Sequence, residues 1–217
     1  DRPRVEILYV HGGRGEFTLE KFGRVVEELG RLKAEGKVLH GGVSNHRVSA
    51  FREALRAPEL EVLHPLMNCD GLGLTDGSLE EMLEVTARLR EGGRGLVLMK
   101  ALAGGLLIPR RSEALRWARN ESGCHAVAVG MVSAAEVDYN LALFSGEEVG
   151  ADLQAAAVMR EKRVKVIGAC IRCGKCVETC PQGAMRLGEE RAEPDAAKCI
   201  LCGYCVPECP KFAIRVI

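Results

Sequence analysis

The chain has 217 residues, of which 47% are hydrophobic and 28% charged, and its 30 basic and 30 acidic side chains leave no formal net charge. This composition is typical of a folded globular protein, and the absence of a basic excess argues against binding to nucleic acid or to a membrane surface. The most apolar run, residues 95–109, contains a lysine and is too short to cross a bilayer, so no transmembrane helix is predicted.

Short apolar runs alternate with helix-like segments from residue 5 to about residue 144. The five runs predicted as strands begin at Val5, Val38, Val62, Leu96 and Ala126. Helix starts are indicated by Thr18, Ser78 and Ser133, and the last two have a glutamate three residues later, the spacing of a capping box. Continuous apolar strands that alternate with helices predict a parallel sheet covered by helices.

Polar residues follow the predicted strands, at the end of a parallel sheet where chemistry usually takes place. The residues at these strand ends are His11, Gly12, Ser44, Asn45, His46, Asn68, Lys100, Gly130 and Ser133. Asn45 has two readings, as a cap of the next helix or as a cofactor contact. Asn68 is either a turn former or a polar group of a pocket, whereas Lys100 is expected to pair with a neighbouring loop.

Eight of the ten cysteines form two copies of the pattern Cys-x2-Cys-x2-Cys-x3-Cys-Pro, at residues 170–181 and 199–210. Three thiolates two residues apart suit three corners of an iron–sulfur cube, and in the bacterial arrangement the fourth ligates the other cluster. The assignment is therefore crossed. One [4Fe-4S] cluster is assigned to Cys170, Cys173, Cys176 and Cys209, and the second to Cys199, Cys202, Cys205 and Cys180.

Disulfides and zinc are the alternatives for these cysteines. Disulfides suit small secreted chains, but here no signal peptide is visible and the cysteines form two identical runs. Zinc sites favour well-separated Cys-x2-Cys pairs, which a triplet followed by Cys-Pro does not match. Cys69 and Cys124 lie outside the runs and are interpreted as ordinary thiols. Reduced thiols, oxygen-sensitive clusters and the lack of a targeting segment predict a cytoplasmic protein.

Both parts of the sequence resemble known families. The two cysteine runs resemble a bacterial two-cluster ferredoxin domain. VEILYVHG, GGVSN, LMKALAGGLL and AVAVGMVSAAEVDYN are similar, in this order, to the fourth, fifth, seventh and eighth strands of an aldo/keto reductase barrel. A branch of that family carries a C-terminal ferredoxin domain, and the whole chain resembles that branch.

The aldo/keto reductase resemblance implies roles for six residues. His11 would orient or protonate a substrate carbonyl, and Ser44 and Asn45 would hydrogen-bond the nicotinamide carboxamide of NADP(H). Gly130 and Ser133 would approach the phosphate, and Asn140 the adenine.

The resemblance begins at the family's fourth strand, so the expected fold is a partial (β/α)8 TIM barrel of five βα units followed by a small α+β two-cluster domain. The predicted boundaries are 1–146 for the partial barrel, 147–164 for a linker that is helical over residues 153–159, and 165–217 for the ferredoxin-type domain. The family's catalytic Asp, Tyr and Lys come from earlier strands. We therefore expect this chain to be a fragment without catalytic activity of its own.

The function predicted for the full-length protein is that of an iron–sulfur oxidoreductase that couples NADP(H)-dependent carbonyl or alcohol chemistry to two [4Fe-4S] clusters. The alternative is a ferredoxin-type electron carrier in which the barrel portion is a non-catalytic docking scaffold. The expected partners are a small carbonyl substrate and a redox protein of the ferredoxin or flavoprotein type. Because residues 165–217 hold eight basic and six acidic side chains, a redox partner with an acidic surface is expected.

Overall fold

The computed structural model describes residues 3–12, 16–157 and 162–217. They form two compact units, one made of the described residues up to Ala101 together with Glu113–Gly130, the other of Leu102–Ser112 together with Met131–Ile217. The domain boundaries of the sequence analysis were drawn from the motifs rather than from these two units, and they remain a prediction.

The first unit is built on one parallel sheet whose strands lie in chain order. The strands are β1 (Val5–His11), β2 (Val38–Asn45), β3 (Val62–Pro65), β4 (Gly95–Leu98) and β5 (Ala126–Val127). The helices between them are α1 (Leu19–Ala34), α2 (Val48–Ala54), α3 (Leu79–Glu91) and α4 (Arg111–Asn120), whose first two residues belong to the second unit. This arrangement confirms the predicted partial α/β barrel.

The register of the first three strands decides which side chains become neighbours. His11 lies opposite Ser44, and Ser44 lies opposite His64. Residues that are partners in neighbouring parallel strands project to the same face of the sheet. The ends of β1, β2 and β3 therefore place an imidazole, a hydroxyl and a second imidazole in one row.

The predicted helix caps at Thr18 and Ser78 are confirmed. The Thr18 hydroxyl accepts a hydrogen bond from the Lys21 amide at 3.3 Å. Ser78 and Glu81 form a complete capping box, in which each side chain accepts from the backbone amide of the other residue. These contacts satisfy amides that the first turn of a helix otherwise leaves without partners.

Helix α2 is short, with seven residues. Its N-terminal amides are capped by Asp76, whose carboxylate accepts from the Val48 amide at 2.5 Å and from the Ser49 hydroxyl. Asp76 lies 28 residues further along the chain than Val48. A cap supplied from so far away has no local signature in the sequence.

The second unit contains α5 (Ala134–Ser145), α6 (Ala151–Ala156) and α7 (Lys175–Thr179), with the strands β6 (Val164–Val166), β7 (Met185–Leu187), β8 (Ala192–Pro194) and β9 (Ile214–Val216). Strand β6 pairs with β9, and β7 with β8, both in antiparallel fashion. Helix α6 lies within the predicted linker, and the end of the helix predicted there, residues 158 and 159, falls outside the described residues. Among the described helices, none has the length and apolar character that a membrane span requires.

Segment 102–112 belongs to this second unit and packs on α5. The Arg111 guanidinium lies 4.2 Å above the ring of Tyr139, a cation–π geometry. The hydroxyls of Ser112 and Tyr139 are 2.5 Å apart, and Tyr139 is fully buried. The segment is thus held against α5 by ring stacking and by a hydrogen bond.

Candidate functional site

Three of the residues predicted from the strand ends lie together in the first unit. The Nδ1 atom of His11 is 3.3 Å from the Ser44 hydroxyl, and the amide of Gly12 donates to the Ser44 carbonyl at 3.2 Å. Gly12 leaves room for the Asn45 side chain, because a Cβ at this position would overlap its amide nitrogen. The pairing of β1 with β2 therefore brings His11, Ser44 and Asn45 into one cluster.

Asn45 is buried, and its two amide atoms have different environments. The oxygen accepts a hydrogen bond from the Arg47 amide at 3.0 Å. Among the described residues, its Nδ2 atom has no hydrogen-bond partner. A buried donor without a partner costs about 1–3 kcal/mol, so a group of this kind is typical of a site that a ligand completes.

Two further histidines lie near this cluster, and both are neutral at physiological pH. Burial lowers the pKa of His46 to about 4, and the nearby charge of Lys100 lowers it further. Burial also lowers the pKa of His64, whose Nδ1 atom donates to the Val97 carbonyl at 2.5 Å. Because that nitrogen carries the hydrogen, the other ring nitrogen of neutral His64 is an acceptor.

The eight cysteines of the two runs lie in two pockets of the second unit. The first pocket is lined by Cys170, Cys173, Cys176 and Cys209, and the second by Cys180, Cys199, Cys202 and Cys205. The fourth cysteine of each run therefore lies with the first three of the other run, as the crossed assignment requires. The two sets of four thiols, in mainly apolar surroundings, fit two cubane clusters.

The pKa values of Cys176 and Cys205 are each raised by burial and by cysteines of the same pocket. Burial raises the pKa of Cys176, and its three neighbours Cys170, Cys173 and Cys209 raise it further. Burial likewise raises the pKa of Cys205 to about 11, with smaller contributions from Cys202, Cys199 and Cys180. No group of three or more His, Cys, Asp or Glu side chains in the described part of the chain is arranged to hold a single metal ion. The cysteine sulfurs that ligate an iron–sulfur cube lie further apart than those that ligate a single metal ion. The absence of a single-ion site among the described residues is therefore consistent with two cubane sites.

The backbone of the two cysteine runs repeats with a period of 29 residues. Left-handed conformations occur at Arg172 and Leu201, at Gly174 and Gly203, and at Gly183 and Phe212. The Ala184 amide donates to Cys180 Sγ and the Ala213 amide to Cys209 Sγ, both at 3.2 Å. Amide hydrogen bonds to cysteine sulfur stabilise the charged ligand and tune the reduction potential of a bound cluster.

The comparisons with known proteins separate the two parts of the chain. Residues 169–213 match the family model of the 4Fe-4S dicluster domain. A structure described as a putative aldo-keto reductase from Pseudomonas aeruginosa matches with 24% identity and a TM-score of 0.53, over 66% of this chain and 52% of its own. The holo form of an aldo-keto reductase from Bacillus halodurans matches with 18% identity and a TM-score of 0.53, over 72% and 62%. No curated protein matches.

The sheet has the aldo-keto reductase fold in part. At these identities the likeness concerns the fold alone, and the chain spans between half and two thirds of the length of these two structures. The dicluster domain is supported independently by its family model, so a sheet with part of the aldo-keto reductase fold and an iron–sulfur module occur in one chain.

The other residues predicted for the aldo-keto reductase site lie around α5, except Gly130, which precedes it in the first unit. Gly130 has open space where a Cβ would stand. Ser133 caps α5 by accepting from the Glu136 amide at 3.2 Å. Asn140 is buried within α5, and among the described residues neither its amide nitrogen nor its amide oxygen has a partner.

Hydrogen bonds show the role of Asn68 and exclude one of the two roles considered for Asn45. The buried Asn68 side chain accepts from the Leu72 amide at 2.9 Å and donates to the Leu72 carbonyl at 2.8 Å, so it forms the turn after β3. Asn45 does not cap α2, because Asp76 does. His46 was already among the residues at the strand ends, whereas His64 was missed, although it stands next to the end of a predicted strand and the argument that selected His11 applies to it as well.

Proposed function

We propose that the full-length protein is an iron–sulfur oxidoreductase of the aldo-keto reductase type, in which NADP(H)-dependent carbonyl or alcohol chemistry is coupled to electron transfer through two [4Fe-4S] clusters. The observation that carries the proposal is the sorting of eight cysteines into two pockets of four, in a chain that also has a reductase-type barrel segment. When bound, NADP(H) supplies a hydride, and each cluster stores one electron at a time.

The candidate residues for NADP(H) fit the group by their unmet hydrogen bonds. The buried Nδ2 atom of Asn45 is a donor suited to the carboxamide oxygen, and Ser44 supplies a hydroxyl from the same strand. Asn140 offers both a donor and an acceptor, as recognition of an adenine edge requires. Gly130 and Ser133 are the proposed contacts of the phosphate.

His11 is the proposed group beside the substrate carbonyl. Its side chain is exposed at the end of β1, while its contact with the Ser44 hydroxyl fixes the orientation of the ring. The neutral state of His46 and His64 keeps two further positive charges away from this strand end at physiological pH. In this scheme His11 orients or protonates the carbonyl, and Ser44 positions His11.

The eight cysteines are the proposed cluster ligands. Cys170, Cys173, Cys176 and Cys209 would hold one cluster, and Cys199, Cys202, Cys205 and Cys180 the other. Clusters bound by these residues would supply two one-electron sites, which matches the two electrons of a hydride. We therefore propose two partners, a small carbonyl compound and a one-electron redox protein.

The proposal is tested by anaerobic titration of the full-length protein with NADPH, after its iron and sulfide have been measured. We expect the cluster absorption near 400 nm to bleach, at roughly two cluster electrons per NADPH. Intact clusters that do not bleach would leave an electron carrier with a non-catalytic barrel as the better description.

Cofactor binding is tested separately by calorimetry with NADP⁺. Asn45→Ala should weaken the affinity roughly tenfold, the effect of one hydrogen bond to a buried partner. Asn120→Ala is the matched control, because Asn120 is an exposed asparagine at the end of α4. Equal affinities of the two variants would remove Asn45 from the site.

A further inference from the structure

The two cysteine loops have the same spacing and backbone but very different exposure. In the loop from Cys170 to Cys173, Ile171 is 56% exposed, whereas its counterpart Ile200 in the second run is 3% exposed. Cys173 is itself exposed, while its counterpart Cys202 is half-buried. Since the local sequence is repeated, the difference comes from what packs on each loop.

The second loop is covered by segment 102–112. Gly104 has a left-handed backbone with φ of 71°, and a Cβ there would overlap the carbonyl oxygen of Ile200 and lie 2.6 Å from its carbonyl carbon. Beside it, a Cβ on Gly105 would be 3.5 Å from a methyl group of Leu201. The two glycines allow the segment that follows β4 to lie directly on the second cysteine loop and to exclude solvent from it.

The first loop is surrounded by exposed apolar side chains. Ile171 and Leu187 both line the first cysteine pocket, and Leu187 is 46% exposed. Phe212 is 66% exposed, and its amide donates to the carbonyl of Cys209, a member of the same pocket. We call these three side chains, together with the exposed Arg172 and Lys211, the outer face.

The charged residues around the outer face indicate which kind of partner would bind there. Arg172 lies between two of the cysteines of the first pocket, and Lys211 lies between Pro210 of that pocket and Phe212. Glu178 and Glu189 lie in neighbouring segments, and residues 165–217 together carry a net charge of +2. An apolar centre with a basic rim is complementary to a protein that carries an apolar contact within an acidic surface.

We propose that the outer face is the docking surface for a small acidic electron-transfer protein of the flavodoxin class, and that the cluster of Cys170, Cys173, Cys176 and Cys209 exchanges electrons with it. The inference rests on the proposed function, since it requires both clusters. In each transfer one electron leaves this reduced cluster, and the oxidised flavin of the partner takes it up with one proton from solvent. The cluster under segment 102–112 is shielded from the partner.

The test uses charge reversal at two exposed basic residues of the same domain. Arg172→Glu alters the outer face, and Lys198→Glu alters the residue before Cys199, at the covered loop. Both variants change the net charge by the same amount, so a general electrostatic effect is equal in both. The probe is an oxidised acidic flavodoxin, and two quantities are measured at low and high salt: its dissociation constant for the oxidised protein, and the second-order rate at which it oxidises the reduced protein.

We expect Arg172→Glu to weaken binding and slow the transfer roughly fivefold at low salt, with the effect lost at high salt, and Lys198→Glu to change both by less than about twofold. Equal effects of the two variants, a larger effect at Lys198, or no dependence on salt would refute the docking surface. Iron and sulfide counts and the absorption spectrum are recorded first for each protein. A wild-type protein without clusters would refute the proposed function and the surface with it, whereas intact clusters with equal rates refute the surface alone.

Discussion

In the partial barrel, the fully buried side chains are mainly aliphatic and come from the sheet and its helices, as with Leu63, Leu89 and Leu98. In the dicluster domain, the buried core is small and includes two of the proposed ligands, Cys176 and Cys205. A core of this size contributes little on its own, and ligands within it must be deprotonated and coordinated to fit. The comparison indicates that the sheet is stabilised by apolar burial and the dicluster domain by its clusters.

The largest expected effect is that of removing the clusters. After chelation of the iron, the amides of residues 164–217 should lose most of their protection against hydrogen exchange, while those of β2, β3 and β4 keep theirs. Trp117, the only tryptophan of the chain, lies in α4 and should keep its native fluorescence. Equal protection of the dicluster domain with and without iron would show that its apolar core is sufficient.

The crossed ligand sets are tested by double substitutions. Cys170→Ala with Cys209→Ala removes two ligands of one proposed cluster, so about four of the eight irons should remain. Cys199→Ala with Cys209→Ala removes one ligand from each cluster, and both should be impaired in their electron paramagnetic resonance signals. The reverse pattern would mean that each run holds its own cluster.

A smaller effect is expected at the covered cysteine loop. Gly104→Ala should cost roughly 3 kcal/mol, because the new methyl group meets the Ile200 backbone at a left-handed position. The paramagnetic resonance signal of the cluster of Cys199, Cys202, Cys205 and Cys180 should shift, and that of the other should not.

The matched control for Gly104 is Gly183→Ala. Gly183 is also left-handed, with φ of 57°, but has no atom within 4 Å of a Cβ, and its counterpart in the other run is Phe212. The control therefore isolates the close approach from the backbone conformation. A shift of similar size in both variants would mean that backbone strain alone explains the result.

The smallest effect concerns pH and the barrel. The pKa of His46 is about 4 in the folded chain and near 6.5 when unfolded, so the unfolded state binds more protons between these values. Stability is therefore complete above about pH 6.5 and falls as the pH drops toward 4, by roughly 3 kcal/mol. Urea unfolding followed by Trp117 fluorescence at pH 7 and 4.5 measures the loss.

His46→Gln should flatten this pH dependence, whereas His40→Gln should leave it unchanged. His40 is the control because it lies in β2 with its side chain half exposed, against the carboxylate of Glu61. If His46→Gln unfolds with the same pH dependence as the wild type, burial of His46 does not cause the loss.

Much of the fold and of both sites follows from local patterns. The cysteine spacing predicts the two sets of four, and the alternation of strands and helices predicts the neighbourhood of His11, Ser44 and Asn45. The remainder depends on tertiary contacts. The cap from Asp76 and the covering of Ile200 by Gly104 join segments that no short sequence window contains. The exposure of Ile171 and burial of Ile200 show this directly, since their local sequences are nearly the same.

Strand β1 has a practical consequence for handling the chain at high concentration. It lies at the edge of the described sheet, and Val5, Ile7 and Leu8 are each more than one third exposed. An edge strand that exposes apolar side chains can accept a strand from another molecule. Ile7→Lys would oppose this self-association by charge repulsion, and sedimentation velocity at increasing concentration measures the gain in monodispersity.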